Sequence, residues 1–184
     1  MIVLFIKFIY ICLCNLCLIC IICVPSFSQE KTNNLPSVEI KTLERKTINT
    51  STITNNGKPV ILSFWASWCK PCINELNAIA ENYEDWQDET GVKLVAVSVD
   101  DARSMNRVGP FVNGKGWEFE FYLDTNGDFK RAMNVINVPH TFLLDGTGKV
   151  VWQHTTYAEG DEEELYELIK KIATGKDVQN LLKR

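Results

Sequence analysis

The segment SFWASWCKPCINEL, residues 63–76, contains two cysteines, Cys69 and Cys72, that are separated by two residues. It overlaps VILSFWA, residues 60–66, an almost continuous apolar run rich in β-branched and aromatic residues, which is typical of a buried central strand. Beyond the cysteines, apolar residues recur every three or four positions, which predicts a helix over 70–88. The two cysteines are therefore expected where a buried strand passes into a helix.

Strands and helices alternate along the rest of the chain. The other predicted strands are 37–43, 46–53, 92–100, 117–124, HTFLLD (140–145) and KVVWQH (149–154), of which the last two form a hairpin. The other predicted helices are 101–113, GDFKRAMNV (127–135) and a final helix that Asp161 caps and Gly175 ends. This alternation predicts an α/β fold in which a central sheet has helices on both faces and extra strands at its N-terminal end.

The N-terminal segment is predicted to direct export. Lys7 precedes an apolar stretch over residues 8–24, and Ser26 and Ser28 follow in the arrangement that signal peptidase accepts, which predicts a signal peptide over 1–28. The apolar stretch, at about 17 residues, is also at the short limit of a membrane-spanning helix, so an uncleaved anchor remains an alternative. In both cases the body of the protein is expected outside the cytoplasm, in the periplasm or an equivalent compartment.

The distribution of cysteines separates this leader from the remainder. Five of the seven cysteines lie within residues 1–28, and only Cys69 and Cys72 follow. We predict a flexible lead-in at 29–36 and one domain over 37–178. A pair that encloses two residues restricts the unfolded chain very little, so a structural disulfide explains it poorly. A single C-x-x-C pair in an exported α/β chain instead indicates redox chemistry.

The predicted helix start makes the two thiols unequal. Cys69 should lie beside the unpaired N–H groups and the positive end of the helix dipole, which favour the thiolate. Lys70 adds a nearby cation, and Pro71 suits an early helical position. We therefore expect a lowered pKa for the Cys69 thiol, which would act as an exposed nucleophile, with Cys72 beneath it as the resolving thiol.

Two motifs carry a resemblance to a known fold. FWASWCKPC resembles the active-site run of the thioredoxin fold, and NVPHTFLLDGTGKVV resembles its second landmark, a Val-Pro-x-Thr run followed by the final hairpin. With the export signal and Glu75, the chain resembles the TlpA/ResA branch of extracytoplasmic thiol-disulfide oxidoreductases over about residues 35–175. The resemblance implies a mixed sheet, a redox-active Cys69–Cys72 disulfide in place of any cofactor, and protein disulfides as substrates. It also implies a membrane thiol electron donor, and apocytochrome c as a typical substrate class of the branch.

The resemblance also assigns roles to individual residues. Pro139 would be a cis-proline that faces the disulfide, and the backbone of Val138 would pair with a substrate strand. Trp68 would be an apolar contact surface beside the nucleophile. Glu75 would tune the thiols and move protons, although an exposed acid in the first turn of a helix is the simpler interpretation of that residue.

Three positions affect how closely the chain matches the active-site pattern of these families. Cytoplasmic thioredoxins have a buried aspartate six residues before the first cysteine, where this chain has Ser63. The branch often has a proline two residues after the glutamate, where this chain has Asn77, so the pose of Glu75 is left open. His140 would stabilise a thiolate if it faced the active site, whereas the simpler interpretation places it in the hairpin.

Composition and motif details separate the competing functions. The formal net charge is −4 and no basic block occurs, which argues against nucleic acid as a partner. A thiol peroxidase normally has threonine three residues before the reactive cysteine, where this chain has Ala66. A copper- or haem-delivery module would use both thiols as ligands, but no methionine or histidine cluster accompanies them. Zinc would need further ligands at suitable spacing, so no metal is expected.

Overall fold

The computed structural model describes residues 35–175. The predicted signal peptide, its alternative as a membrane anchor and most of the lead-in at 29–36 lie outside the described residues. Within residues 35–175, no helix is both long enough and apolar enough to cross a membrane.

A mixed sheet of seven strands forms the centre of this described part of the chain. In chain order the strands are β1 (Glu39–Thr42), β2 (Thr47–Asn49), β3 (Val60–Trp65), β4 (Lys93–Ser98), β5 (Glu120–Leu123), β6 (His140–Leu144) and β7 (Val150–Thr155). Across the sheet their order is β2-β1-β5-β4-β3-β6-β7. The strands β3, β4 and β5 run parallel, whereas β6, β7, β1 and β2 pair antiparallel with their neighbours.

The strand that leads to the cysteines occupies the middle of the sheet. All six residues of β3 are buried, as its continuous apolar sequence predicts. It pairs with β4 on one side, where Ser63 is opposite Ala96, and with β6 on the other, where Ser63 is opposite Thr141. The chain that leaves β3 therefore emerges beside the start of β6.

Four α-helices cover the sheet within residues 35–175. They are α1 (Lys70–Thr90), α2 (Val108–Lys115), α3 (Asp128–Ala132) and α4 (Asp161–Ala173). Successive strand residues face opposite sides, which gives two apolar clusters. One cluster joins α1, α2 and α4 to one face of the sheet, and the other joins Phe129 of α3 to the opposite face. The predicted α/β sheet with helices on both faces is confirmed.

The region predicted as a helix over 101–113 differs from the structure. A short 3₁₀ turn at Met105–Arg107 precedes α2, which begins only at Val108. The reason is local: the Asp101 carboxylate accepts hydrogen bonds from the backbone N–H groups of Arg103 and Ser104. These bonds offer the backbone an alternative to the first helical turn.

The start of α4 also differs from the prediction. Gly160, with a φ of 101°, is at the N-cap position, and Asp161 is the first helical residue. The Asp161 carboxylate instead accepts a hydrogen bond from the Ala158 N–H and lies 3.3 Å from Nε2 of His154 on β7. Asp161 therefore ties the helix start to the sheet.

Candidate active site

Cys69 and Cys72 form a disulfide at the junction of β3 and α1. The S–S distance is 2.01 Å and the Cα–Cα distance is 5.3 Å. Cys69 is the N-cap residue of α1, and its sulfur accepts a hydrogen bond from the Cys72 N–H over 3.3 Å. Pro71 is within the first two helical positions, where it costs no helical hydrogen bond. One sulfur thus occupies the place where a helix stabilises negative charge.

The exposure of the two cysteines corrects one expectation. Cys72 is fully buried as predicted, but Cys69 is only 5 % exposed, where the sequence suggested an open nucleophile. The Cys69 sulfur is bonded to the buried Cys72 sulfur and lies 3.7 Å from the carbonyl oxygen of Val138. A partner sulfur therefore has a narrow approach to the oxidised site.

The turn that presents Cys69 is held by a residue that the sequence analysis did not identify. Asp100 follows β4 and is fully buried. Its carboxylate accepts hydrogen bonds from the Ser67 N–H (2.8 Å), the Ser67 hydroxyl (2.7 Å) and the Ser98 hydroxyl (2.8 Å). A signal was present in the sequence, because Asp100 is the last residue of the predicted strand 92–100, which in the structure pairs parallel with β3. The carboxyl ends of parallel strands lie at the same edge of a sheet.

The segment before β6 forms the opposite wall of the site. The Val138–Pro139 peptide bond is cis, as the resemblance implies. Pro139 is buried and Val138 is half-buried, and the Val138 carbonyl oxygen is the group that faces the Cys69 sulfur. The antiparallel pairing of β6 with β3 brings these residues, which are about 70 positions apart in the chain, next to each other.

Two large apolar side chains are exposed on the segments that carry Cys69 and Val138. Trp68, directly before Cys69, is 67 % exposed, and Ile136, two residues before Val138, is 82 % exposed. Within residues 35–175 these are the two exposed large hydrophobic side chains. Trp68 was singled out by the sequence, whereas Ile136 was not, because nothing in its local sequence distinguishes it from a core residue. Lys70 is also exposed.

Glu75 is buried, contrary to the simpler interpretation that it is a solvated helix acid. It is 5 % exposed, one helical turn after Cys72 on the inner face of α1. Thr141 Oγ1 donates to its Oε1 over 2.7 Å, and Ser63 Oγ donates to its Oε2 over 3.4 Å. Burial raises the pKa of Glu75 to about 7, although both hydrogen bonds oppose that rise. This carboxyl group can therefore gain or lose a proton near neutral pH.

Ser63 and Asn77, the two positions that depart from the family pattern, each have an identifiable contact in the structure. Ser63 lies where cytoplasmic thioredoxins have a carboxylate, and its hydroxyl contacts the carboxyl group of Glu75. At Asn77 the helix continues without interruption from Lys70 to Thr90, and the Asn77 side chain accepts a hydrogen bond from Trp117 Nε1. Glu75 is thus positioned by a continuous helix.

His140 faces away from Glu75. Adjacent strand residues point to opposite faces, and Thr141 is the one that reaches Glu75. The His140 ring stacks on Phe142 and lies 3.2 Å from the Gln153 side-chain oxygen. Burial lowers the pKa of His140. The simpler interpretation of His140 as a satisfied hairpin residue agrees with these contacts.

The fold and the site together define a class. A disulfide at the start of the helix that follows the central strand, faced by a cis-proline segment, is the arrangement of a thioredoxin-like thiol-disulfide oxidoreductase. The model of the AhpC/TSA family matches residues 32–153. The chain belongs to the AhpC/TSA family, and within it to the thiol-disulfide oxidoreductases.

Individual relatives support this assignment. The thiol-disulfide oxidoreductase ResA of Bacillus thuringiensis subsp. konkukian is 34 % identical over 137 residues, which cover 74 % of this chain and 75 % of the relative. The sporulation thiol-disulfide oxidoreductase A of Bacillus subtilis is 33 % identical over 125 residues, covering 67 % and 73 %. The solution structure of a thioredoxin-like protein from Porphyromonas gingivalis has 51 % sequence identity and a TM-score of 0.70, covering 78 % of this chain and 94 % of that one.

Proposed function

We propose that the protein reduces disulfide bonds of other proteins outside the cytoplasm, with Cys69 as the nucleophile and Cys72 as the resolving thiol. The observation that carries this proposal is the inequality of the two sulfurs. The Cys69 sulfur accepts a hydrogen bond from an N–H group at the start of α1, whereas Cys72 is fully buried one helical turn further on. Glu75, whose pKa burial raises to about 7, follows Cys72 by three residues on the same helix.

In the first step, the Cys69 thiolate attacks one sulfur of a substrate disulfide. A bond forms between Cys69 and that sulfur, the substrate disulfide breaks, and the other substrate sulfur leaves as a thiolate that takes a proton from water. The Val138 backbone and the exposed Trp68 flank this position, and we assign them to contact with the substrate. Lys70, exposed beside the nucleophile, adds positive charge there.

In the second step, Cys72 loses its proton to Glu75 and attacks the Cys69 sulfur. The Cys69–Cys72 bond forms, the mixed disulfide breaks, and the second substrate sulfur leaves and is protonated. Two electrons have then passed from the protein to the substrate. Cys72 and Glu75 are three residues apart on one helix, a spacing that places side chains about 5–6 Å apart at Cβ.

The compartment and the partners are also part of the proposal. The predicted signal over residues 1–28 supports export, either with cleavage or as an anchor through residues 8–24. Outside the cytoplasm, a membrane thiol donor would reduce the Cys69–Cys72 disulfide again after each cycle. The resemblance to the TlpA/ResA branch supports apocytochrome c cysteines as a substrate class.

The reduction potential of the Cys69–Cys72 pair tests the direction of electron flow. Equilibration of the protein in dithiothreitol or glutathione buffers would give a reduction potential of about −270 mV for a reductase and about −120 mV for an oxidant. The first value supports the proposal. The second would reverse the direction that we assign.

Trapping a mixed disulfide tests the substrate class. Cys72→Ser leaves Cys69 able to attack and removes the resolving thiol, so we expect disulfide-linked adducts with exported proteins in cells, visible on non-reducing gels. The matched control, Cys69→Ser, should form none. Equal adduct patterns for the two variants, or none for either, would contradict the assigned roles.

Peroxide reduction is the alternative that the AhpC/TSA match brings forward. Ala66, three residues before Cys69, has no hydroxyl group with which to orient a peroxide, and the two Bacillus relatives described above are thiol-disulfide oxidoreductases. We expect peroxide turnover no faster than that of a free thiol. Rapid turnover measured with hydrogen peroxide would favour the alternative.

A further inference from the structure

Glu75, Thr141 and Ser63 form a closed ring of three oxygen-to-oxygen contacts inside the protein. Thr141 Oγ1 lies 2.7 Å from Glu75 Oε1 and 3.2 Å from Ser63 Oγ, and Ser63 Oγ lies 3.4 Å from Glu75 Oε2. All three side chains are buried. They come from α1, β3 and β6, so the ring exists only when the three elements pack together.

We propose that this ring transfers a proton between the two oxygens of the Glu75 carboxyl group, with Thr141 and Ser63 as positioning residues. The inference rests on the proposed role of Glu75 as the acceptor of the Cys72 proton. It adds a path by which a proton taken from Cys72 on one carboxyl oxygen passes to the other oxygen, from which solvent water accepts it, within a cluster whose side chains are buried.

Counting hydrogens shows why the ring suits this task. When Glu75 is ionised, the two hydroxyl groups have one hydrogen each, and both donate to the carboxylate. When Glu75 is protonated on Oε1, three hydrogens are available for three contacts: Oε1 donates to Thr141, Thr141 donates to Ser63, and Ser63 donates to Oε2, which only accepts. If every group passes its hydrogen to the next oxygen, the proton on Oε1 disappears and one appears on Oε2. No atom moves far and no charge is created.

Few charged or titratable groups of the described chain face Glu75 from the elements around it. Cys72 is on its own helix. On α4, the negative charge of Asp161 contributes to the raised pKa of Glu75. On β7, His154 is opposite Thr141 in the strand pairing and 3.3 Å from Asp161. The hydroxyl groups of Ser63 and Thr141 are therefore the direct partners of the carboxyl group, and Asp161 and His154 form a more exposed layer behind them.

The contact of Thr141 with Glu75 is tested by titration. Thr141→Val keeps the side-chain shape and removes the donor to the carboxylate, so the pKa of Glu75 should rise by about one further unit, as the loss of a bond to a charged group predicts. The ¹³C chemical shift of the labelled Glu75 carboxyl carbon, followed from pH 4 to pH 10 in the oxidised protein, measures this. Thr141→Ser restores a hydroxyl and should return the midpoint to the wild-type value.

The ring itself is tested by the rate at which Cys72 attacks a mixed disulfide on Cys69. A 2-nitro-5-thiobenzoate group placed on Cys69 is released when Cys72 attacks, and its absorbance reports that step between pH 5 and pH 9. Thr141→Val and Ser63→Ala each open the ring, so both should slow the release about tenfold or more near pH 7. Ser63→Ala should nevertheless shift the Glu75 titration less, because its bond is longer.

Controls separate this effect from a loss of packing. Thr90→Val removes another buried threonine hydroxyl, which donates to the Trp86 carbonyl oxygen and not to Glu75. It should lower stability and leave both the titration and the release rate unchanged. Thr141→Ser should release the probe at the wild-type rate.

The outcomes distinguish this inference from the proposed function. Release by Ser63→Ala at the wild-type rate, or an unchanged Glu75 midpoint in Thr141→Val, would overturn the ring even if protein disulfides are reduced. Conversely, a reduction potential in the range of a strong oxidant would overturn the proposed direction of electron flow and leave both ring measurements valid, since neither uses a protein substrate.

Discussion

Asp100 and Glu75 are two of the three carboxyl groups that are almost completely buried within residues 35–175, and their surroundings differ. Asp100 accepts three hydrogen bonds of 2.7–2.8 Å, one of them from a backbone N–H. Glu75 accepts two, both from hydroxyl groups, one of them over 3.4 Å. Hydroxyl groups can turn to donate or accept, whereas a backbone N–H can only donate.

This difference separates Asp100, which suits a structural role, from Glu75, to which we assign proton transfer. The backbone donor to Asp100 requires a permanent acceptor, so the group suits the task of holding the active-site turn. The partners of Glu75 can serve both its ionised and its protonated form. Burial alone therefore does not define the role of a carboxyl group; the nature of its donors does.

The largest expected change in stability comes from replacing Asp100. Asp100→Ala removes the acceptor from the half-buried N–H and hydroxyl groups of Ser67 and from the buried hydroxyl of Ser98, which should lower the free energy of unfolding by about 4 kcal/mol. Denaturant unfolding at pH 8 would measure the loss. Asp101→Ala, which removes the exposed neighbouring carboxylate, is the control and should cost far less. Equal losses for the two variants would remove the structural role of Asp100.

Replacing Glu75 is expected to raise the stability at pH 8, whereas replacing Asp100 lowers it. The folded pKa of Glu75, about 7, is above its ordinary value of 4.5, so the folded protein binds more protons between these values and its stability falls as pH rises through them. Glu75→Gln escapes this cost and should be more stable than the wild type at pH 8 by up to about 3 kcal/mol.

The pH dependence of that gain is the sharper observation. At pH 4 the wild-type carboxyl group is protonated in both states, so the advantage of Glu75→Gln should vanish. Glu81→Gln, on the exposed side of the same helix, should show no comparable gain. A Glu75→Gln variant that is less stable than the wild type at pH 8 would place Glu75 in the same structural class as Asp100.

The smallest effects concern the serines that serve the two carboxylates. Ser67→Ala removes a 2.7 Å hydrogen bond to Asp100 and should cost about 1.5 kcal/mol. Ser63→Ala removes a 3.4 Å contact to Glu75 and should cost less than about 1 kcal/mol. Thermal or denaturant unfolding at pH 8 compares them. The reverse order would mean that these distances do not rank the two contacts.

Local patterns in the sequence predict much of the fold. The apolar run over 60–66 predicts β3 to within one residue. The helical period over 70–88 predicts the start of α1 at Lys70 and its end to within two residues. The predicted helix start at residue 101 and the predicted cap at Asp161 were wrong, because side-chain oxygens of Asp101 and Asp161 accept hydrogen bonds from nearby backbone N–H groups in turns. Such competition between turn and helix depends on exact geometry, which periodicity does not report.

The sequence by itself determined the disulfide chemistry, since a C-x-x-C pair between a buried strand and a helix places both sulfurs within one helical turn. The tertiary structure alone decided which distant groups surround them. Asp100, the Val138 carbonyl and Thr141 reach the site through sheet pairing, and Glu75 becomes a buried acid only because β3 and β6 cover its side of α1. Contacts between residues far apart in the chain depend on strand order and register, which no local pattern specifies.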